Sequence, residues 1–254
     1  MKILAITQAR IGSSRLPEKI LMTIEGITLL EIHLKRILGS KKISALKVAT
    51  TIESEAGKII EICNKTGVSF YQGSVNNVLE RFYYAAESEA PDWVVRLTSD
   101  CPLIDSELID KVIQFTIDND LDYGSNTLLP TYPDGQDVEV FKYTALIKAH
   151  KESELKSDIE HVTPYIWRNS SFMNGNLFRS DCFKNKDDLS ALRMTVDTME
   201  DYLLIKKLVG LYGFQKNWEV YADALLKNPE LSGMNSQYKR NEGYEKSLNN
   251  DKKS

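Results

Sequence analysis

The densest chemistry in this sequence lies in one run, Arg10-Ile11-Gly12-Ser13-Ser14-Arg15-Leu16-Pro17-Glu18-Lys19. Gly12 lets the backbone approach a ligand, and neighbouring N–H groups can form an anion nest. Arg10, Arg15 and Lys19 can share the charge of a polyphosphate. The run is neither Gly-x-x-x-x-Gly-Lys-[Ser/Thr] nor Gly-x-Gly-x-x-Gly, so neither a P-loop ATPase nor a Rossmann dehydrogenase is supported. The plain alternative is a solvated basic loop. Cations beside Gly-Ser-Ser serve no packing need, which favours the anion site.

A second candidate is Asp100, in Val94-Val95-Arg96-Leu97-Thr98-Ser99-Asp100-Cys101-Pro102, where an apolar strand ends in a lone carboxylate. A hard divalent ion such as Mg²⁺ takes one or two carboxylates plus phosphate oxygens, so a second aspartate is expected. Asp197, in Met194-Thr195-Val196-Asp197-Thr198, is the best placed, with a helix N-cap as its equally weighted alternative. Asp118-Asn119-Asp120 follows an amphipathic helix and reads as a solvated helix end. Packing accounts for His33 and His150 at surface or boundary positions, while His161 lacks a nucleophile in reach along the sequence and stays ambiguous.

The elements that must position these groups alternate. Lys2–Gln8, Ala45–Thr51, Val68–Tyr71 and Trp93–Leu97 read as strands. Helical patterns from Thr28, Ser54 and Val75 separate them, the first opening with a capping-box form, Thr28-Leu29-Leu30-Glu31. Such βαβ units predict an α/β fold with a mainly parallel mixed sheet and helices on both faces. The basic run then lies beyond the carboxyl end of the first strand, where open α/β sheets bind ligands. Further helices are expected over Asp105–Ile117, Tyr143–Glu152, Ile159–Arg168 and Met199–Leu211, with strand-like stretches at Asp122–Thr127, Gln136–Phe141, Phe172–Phe178 and Leu192–Val196. The catalytic domain is expected over residues 1–228, with an insertion near 122–180. Residues 229–254 are polar and aperiodic and read as a flexible tail, in which tyrosines and Arg240 could dock on a partner subunit.

The chain has 254 residues, 42% of them hydrophobic and 27% charged, with a formal charge of -4. That composition suits a globular domain and supplies no global basic field, so a nucleic-acid partner is not expected. No stretch approaches about 18 uncharged apolar residues, so neither a membrane partner nor an export signal is expected, and the compartment predicted is the cytoplasm. Cys63, Cys101 and Cys182 lack Cys-x-x-Cys spacing and read as reduced, inert thiols.

Taken together, Gln8-Ala9-Arg10-x-Gly12-Ser13-x-Arg15-Leu16-Pro17-x-Lys19, Val48-Ala49-Thr50-Thr51, Gly73-Ser74 with Val78-Leu79-x-Arg81-Phe82, and Asp100-Cys101-Pro102-Leu103-Ile104 resemble the cytidylyltransferase family. Ser125-Asn126-Thr127, Tyr132-Pro133-Asp134-Gly135-x-Asp137-Val138-Glu139, Glu160-His161-Val162-Thr163-Pro164-Tyr165 and Leu192-Arg193-x-Thr195-Val196-Asp197 narrow the resemblance to the branch called spore-coat polysaccharide biosynthesis protein F. It implies a Rossmann-like three-layer nucleotidyltransferase fold, often a homodimer, that takes CTP and Mg²⁺ and joins CMP to an acidic sugar or similar acceptor with release of pyrophosphate. By the resemblance, Arg10, Ser13, Arg15 and Lys19 hold the triphosphate, with Arg10, Lys19 and Asp100 catalytic. Thr50, Thr51, Ser74 and Arg81 surround the nucleoside, Asp100 and Asp197 hold the metal, and Asp137, Glu139 and His161 face the acceptor. Two positions depart from the family pattern: Ser99 stands where glycine is usual, and Asn77 where an acidic residue is usual. The rival readings are a nucleotide-sugar glycosyltransferase of related fold and a non-catalytic nucleotide-binding subunit.

Overall fold

Alternation along the first strand sets the layers. β1 (Ile3–Gln8) directs Ile3 and Ala5 to one face of the sheet and Leu4 and Ile6 to the other, and all four are buried. A strand buried on both faces needs helices on both sides. The computed structural model describes residues 1–13 and 15–252, so Ser14 of the basic run lies outside the described residues.

The remaining strands are β2 (Thr23–Ile24), β3 (Ile27–Thr28), β4 (Ala45–Thr51), β5 (Ser69–Gly73), β6 (Trp93–Thr98), β7 (Tyr123–Ser125), β8 (Glu139–Lys142) and β9 (Ser180–Cys182). The helices are α1 (Leu29–Ile37), α2 (Gly57–Thr66), α3 (Val78–Glu87), α4 (Ser106–Asp118), α5 (Tyr143–Glu152), α6 (Lys156–His161), α7 (Pro164–Arg168), α8 (Met199–Tyr212), α9 (Trp218–Lys227), α10 (Pro229–Gly233) and α11 (Glu242–Asp251). Among the described residues the strands form a seven-stranded sheet, β5-β4-β1-β6-β8-β7-β9, and a two-stranded ribbon of β2 and β3. β5, β4, β1 and β6 run parallel, β8 is antiparallel to both neighbours, and β9 is parallel to β7. The face carrying Ile3 and Ala5 packs on α1, α2 and α4, and the face carrying Leu4 and Ile6 packs on α3, α5 and the α6–α7 corner. This is the mixed, mainly parallel three-layer arrangement that the alternation predicts. A third apolar cluster joins α8, α9 and Leu231 of α10 to Leu29 and Ile32 of α1.

Three stretches differ from the sequence reading. The helix expected over 159–168 is two short helices, because Val162 adopts a φ of 73° and Pro164 opens the second, where its missing N–H costs nothing. Phe172–Phe178 holds a 3-10 turn over Ser171–Met173 and a single bridge from Ser170 to Phe178 in place of a strand. Leu192–Val196 forms no strand; Arg193 makes an isolated parallel bridge to Asp134.

The segment after Pro229, read from sequence as a flexible tail, carries α10 and α11, and α11 packs on α6 of its own chain. Polar anchors fasten it. The Asn235 side-chain amide donates to Asp201 at 2.8 Å, the Tyr238 hydroxyl to Glu200 at 3.0 Å, and Arg240 pairs with Asp137. Anchors of this kind leave no hydrophobic period in the sequence, which is why the segment reads as structureless.

His33, expected near the surface, is fully buried on α1. Its Nδ1 donates to the Cys101 carbonyl at 2.8 Å, leaving Nε2 to accept from the Thr7 hydroxyl at 3.0 Å, so one imidazole ties α1 to β1 and to the turn after Asp100. Burial lowers its pKa from 6.5 to about 4. Between those values the unfolded chain binds more protons than the folded one, so stability falls as the pH drops through that window, by about 3 kcal/mol in all. Urea unfolding from pH 7 to 4 should show this loss in the wild type and a shallower dependence in His33→Gln; equal slopes would contradict it.

Candidate active site

The carboxyl ends of β1 and β6 bring the first group together. β6 ends one residue before Ser99-Asp100, and the Asp100 carbonyl accepts from the Val196 N–H at 2.7 Å and the Thr195 hydroxyl at 3.1 Å. Two hydrogen bonds thus lay the 194–197 segment against the strand end and bring Asp197 to Asp100. Lys19, which ends the basic run and opens a 3-10 turn, spans both: its ammonium lies 3.4 Å from Asp100, 2.7 Å from Asp197 and 2.8 Å from the Val196 carbonyl. Burial opposes the charge of Asp100, yet Lys19 and the Thr98 hydroxyl hold its carboxyl down at about 2. Burial likewise works against the Lys19 ammonium, but the two aspartates raise its pKa and keep it charged.

Arg15 completes this group, with Asp197 at 2.9 Å and Glu242 of the C-terminal segment at 3.3 Å. Ser13 stays within its loop, its hydroxyl accepting from the Leu16 N–H at 3.4 Å. Arg10 is exposed, makes no hydrogen bond or ion pair among the described residues, and lies close enough to Arg81 to depress that residue's pKa. Asp118-Asn119-Asp120 sits apart at the exposed end of α4, where Asp120 pairs with Arg179 at 2.8 Å.

Asp197 does not cap α8. Thr198 does, in a capping box with Asp201, which leaves the Asp197 carboxylate for Lys19, Arg15 and Arg193. Arg193 was not singled out from sequence, yet it is the hub here: it reaches Asp134 at 2.7 Å, Asp197 at 3.3 Å and both oxygens of Asp201 at 2.9 and 3.0 Å. Gly135 allows that approach. Its φ is +105°, and a Cβ there would stand 2.6 Å from the Met194 carbonyl carbon.

A second group lies at the ends of β4 and β5. Thr50 and Thr51 are buried, with the Thr50 hydroxyl unpartnered and the Thr51 hydroxyl 3.0 Å from Glu53. Arg81 is buried beneath Ser74, donating to its carbonyl at 3.1 Å, and burial first, then Arg10, bring its pKa down to about 10. Gln8, beside Ala49 on β1, also holds a buried side-chain oxygen without a partner. Such acceptors are costly unless a ligand donor meets them.

A third group lines a cavity of about 310 Å³ that includes Asp137, Glu139 and His161. Arg96 and Thr98 of β6, Thr163, Trp167 and Tyr244 also line it. Glu139 faces Arg96 across the β6–β8 ladder and pairs with it, while its other oxygen receives the Tyr123 hydroxyl at 2.7 Å and the Thr163 hydroxyl at 2.5 Å. Asp137 pairs with Arg240, and burial, with Glu139 and Asp100 adding to it, raises its pKa against that pull. His161 bonds Ser247 of α11 at 3.0 Å, and burial and Arg96 lower its pKa, favouring the neutral ring. Arg96 and Arg240 were missed as site residues; the only sequence signal for Arg96 is a charge inside an otherwise apolar strand.

Both departures from the family pattern fit locally. Ser99 is not among the positive-φ residues, so its turn does not require glycine, and Asn77 caps α3 by accepting the Glu80 N–H at 2.8 Å, as an aspartate would.

Comparison with known proteins places the chain in a family. Residues 4–227 match the model of a family described as cytidylyltransferase. The chain is 39% identical over 247 residues to an uncharacterized protein of Methanocaldococcus jannaschii, covering 93% of this chain and 95% of that one. It is 36% identical over 214 residues to the spore coat polysaccharide biosynthesis protein SpsF of Bacillus subtilis, covering 81% and 85%. A solved cytidylyltransferase from Leptospira borgpetersenii superposes with a TM-score of 0.86 at 32% identity, covering 94% of this chain and all of that one. A synthetase of CMP:2-keto-3-deoxy-manno-octonic acid, complexed with CTP, shares the fold at a TM-score of 0.63 and 17% identity, covering 83% and 99%. This chain belongs to the cytidylyltransferase family and is a CTP-dependent nucleotidyltransferase.

Proposed function

We propose that the chain transfers CMP from CTP to a small acidic acceptor, an acidic sugar or a similar molecule, and releases pyrophosphate. The observation that carries this reading is the single ammonium of Lys19 spanning Asp100 and Asp197 beside the Arg10–Arg15 loop. Support for the donor comes from the family and from the structural neighbour that was solved with CTP.

In the reaction an acceptor oxygen attacks the α-phosphorus in line, the bond to the β-phosphate oxygen breaks, and pyrophosphate leaves. Arg10, Arg15 and Lys19 would take up the charge that grows on the leaving group. Thr50, Thr51 and Ser74 would surround the nucleoside, with Arg81 fixing the Ser74 carbonyl and the unpartnered oxygens of Gln8 and Thr50 free to accept from it. Asp137 and His161 would lie on the acceptor side.

The residues present fit a divalent ion. Asp100 is held ionised and shares Lys19 with Asp197, so two carboxylates converge, and a hard cation completes such a pair with phosphate oxygens and water. Among the described residues no group of three or more His, Cys, Asp or Glu is arranged as a complete metal site, so the carboxylates alone would be an incomplete shell. Mg²⁺ held by Asp100 and Asp197 would polarise the α-phosphate and favour ionisation of the attacking hydroxyl. A role in surface polysaccharide or glycan synthesis, in the cytoplasm and as a homodimer, completes the reading; SpsF, named for spore-coat polysaccharide, supports the first part.

The donor is tested by thermal unfolding with CTP, UTP, ATP and GTP, each with and without Mg²⁺. CTP at about 100 times its dissociation constant should add about 2.7 kcal/mol, more readily with Mg²⁺. A larger shift with UTP or an intact nucleotide sugar would favour glycosyl transfer instead. The Asp100→Asn variant should unfold like the wild type and lose at least about a hundredfold in pyrophosphate release, and wild-type turnover would remove Asp100 from the metal set.

A further inference from the structure

Within the cavity lined by Asp137, Glu139 and His161, we propose that Arg96 receives the carboxylate of a monoanionic sugar acid, a specificity that rests on the nucleotidyl-transfer reading above. Arg96 projects from β6 into the cavity, two residues before Thr98 and four before Asp100, so its guanidinium lies beside the reacting edge of the sheet. Only one of its nitrogens is engaged, by Glu139; Nε is buried without a partner, and neither Nε nor the second terminal nitrogen bonds any described residue. A guanidinium presents N–H groups in a planar fork that matches a carboxylate. Glu139, expected from sequence to touch the acceptor, already accepts from Arg96, Tyr123 and Thr163. It acts here as a positioning residue that fixes the plane of the fork.

The other cations favour a monoanion over a phosphate. Arg240 is committed to Asp137 and to the Tyr132 carbonyl at 3.0 Å, and burial and Arg96 disfavour a charged His161, so a dianion would find no cation besides Arg96, itself engaged on one side by Glu139. The remaining lining suits a polyol. Thr98, Thr127 and Asp137 offer hydroxyl and carboxylate partners, and Trp167 and Tyr244 offer flat apolar faces to a sugar ring.

The test uses the full chain labelled with ¹⁵N-arginine, with pyruvate as a minimal 2-oxo carboxylate and inorganic phosphate as the competing oxyanion. The Arg96 Nε–H resonance, assigned by its absence in Arg96→Lys, should move saturably with pyruvate and much less with phosphate. Calorimetry should give pyruvate binding roughly tenfold weaker in Arg96→Lys, with the CTP-induced thermal shift unchanged as the control for folding. A phosphate response equal to or above that of pyruvate would overturn the carboxylate assignment. Absence of any shift at Arg96, with CTP binding intact, would overturn the site and leave nucleotidyl transfer standing, whereas loss of CTP binding in the wild type would remove the reading on which the site rests.

Discussion

One guanidinium decides the geometry of this protein. Arg193 sits nearly buried among Asp134, Asp197 and Asp201, and each partner belongs to a different piece of the active end: the turn that leads to the cavity, the carboxylate beside Lys19, and the capping box that starts α8. A buried cation tolerates removal from water only when several acceptors surround it, and here they join the Asp134 turn to the continuous 193–201 segment. The close backbone contact at Gly135 follows from the same demand, since the turn must come against residues 194–195 for Asp134 to reach its partner.

The site also arrives with most of its charges matched. Lys19 and Arg15 rest on Asp197, Arg96 on Glu139 and Arg240 on Asp137, while Arg10 alone of the cations in the basic run stands without an ion pair among the described residues. On the proposed reading, a nucleotide entering such a site would exchange ion pairs for others, which would leave the differential stabilisation for the charge that develops during transfer. Preorganised partners of this kind keep the cations in place at low reorganisation cost.

Much of this was legible in the residues. The alternation of strand and helix located β1, β4, β5 and β6 because buried parallel strands and capped amphipathic helices carry strong local signals, and the basic run and Asp100 marked the carboxyl ends of β1 and β6, where Asp197 joins them from a segment that forms no strand. Thr28 caps α1 as its spacing promised. What escaped the sequence is partly local and partly long-range: Val162 turns to a positive φ just before Pro164, whereas the hub at Arg193 and the inward charge of Arg96 depend on residues far along the chain. His33 looked peripheral because a helical pattern does not show that Thr7 and Cys101 would meet both ring nitrogens. The polar C-terminal segment had no period to read, since hydrogen bonds, ion pairs and the isolated buried Leu231 fasten it rather than a continuous apolar stripe.

That segment also closes the cavity from the far end of the chain. The family match ends at residue 227, while Asn241 and Tyr244, which close one side of the cavity, come from beyond it. The sheet therefore supplies the cavity floor through Arg96, Thr98 and Glu139, and the C-terminal segment supplies part of the wall. A wall fastened by a few side-chain anchors can shift or be altered without disturbing the packed sheet, so the shape of the cavity is mechanically separable from the β1–β6 end that holds Lys19, Asp100 and Asp197.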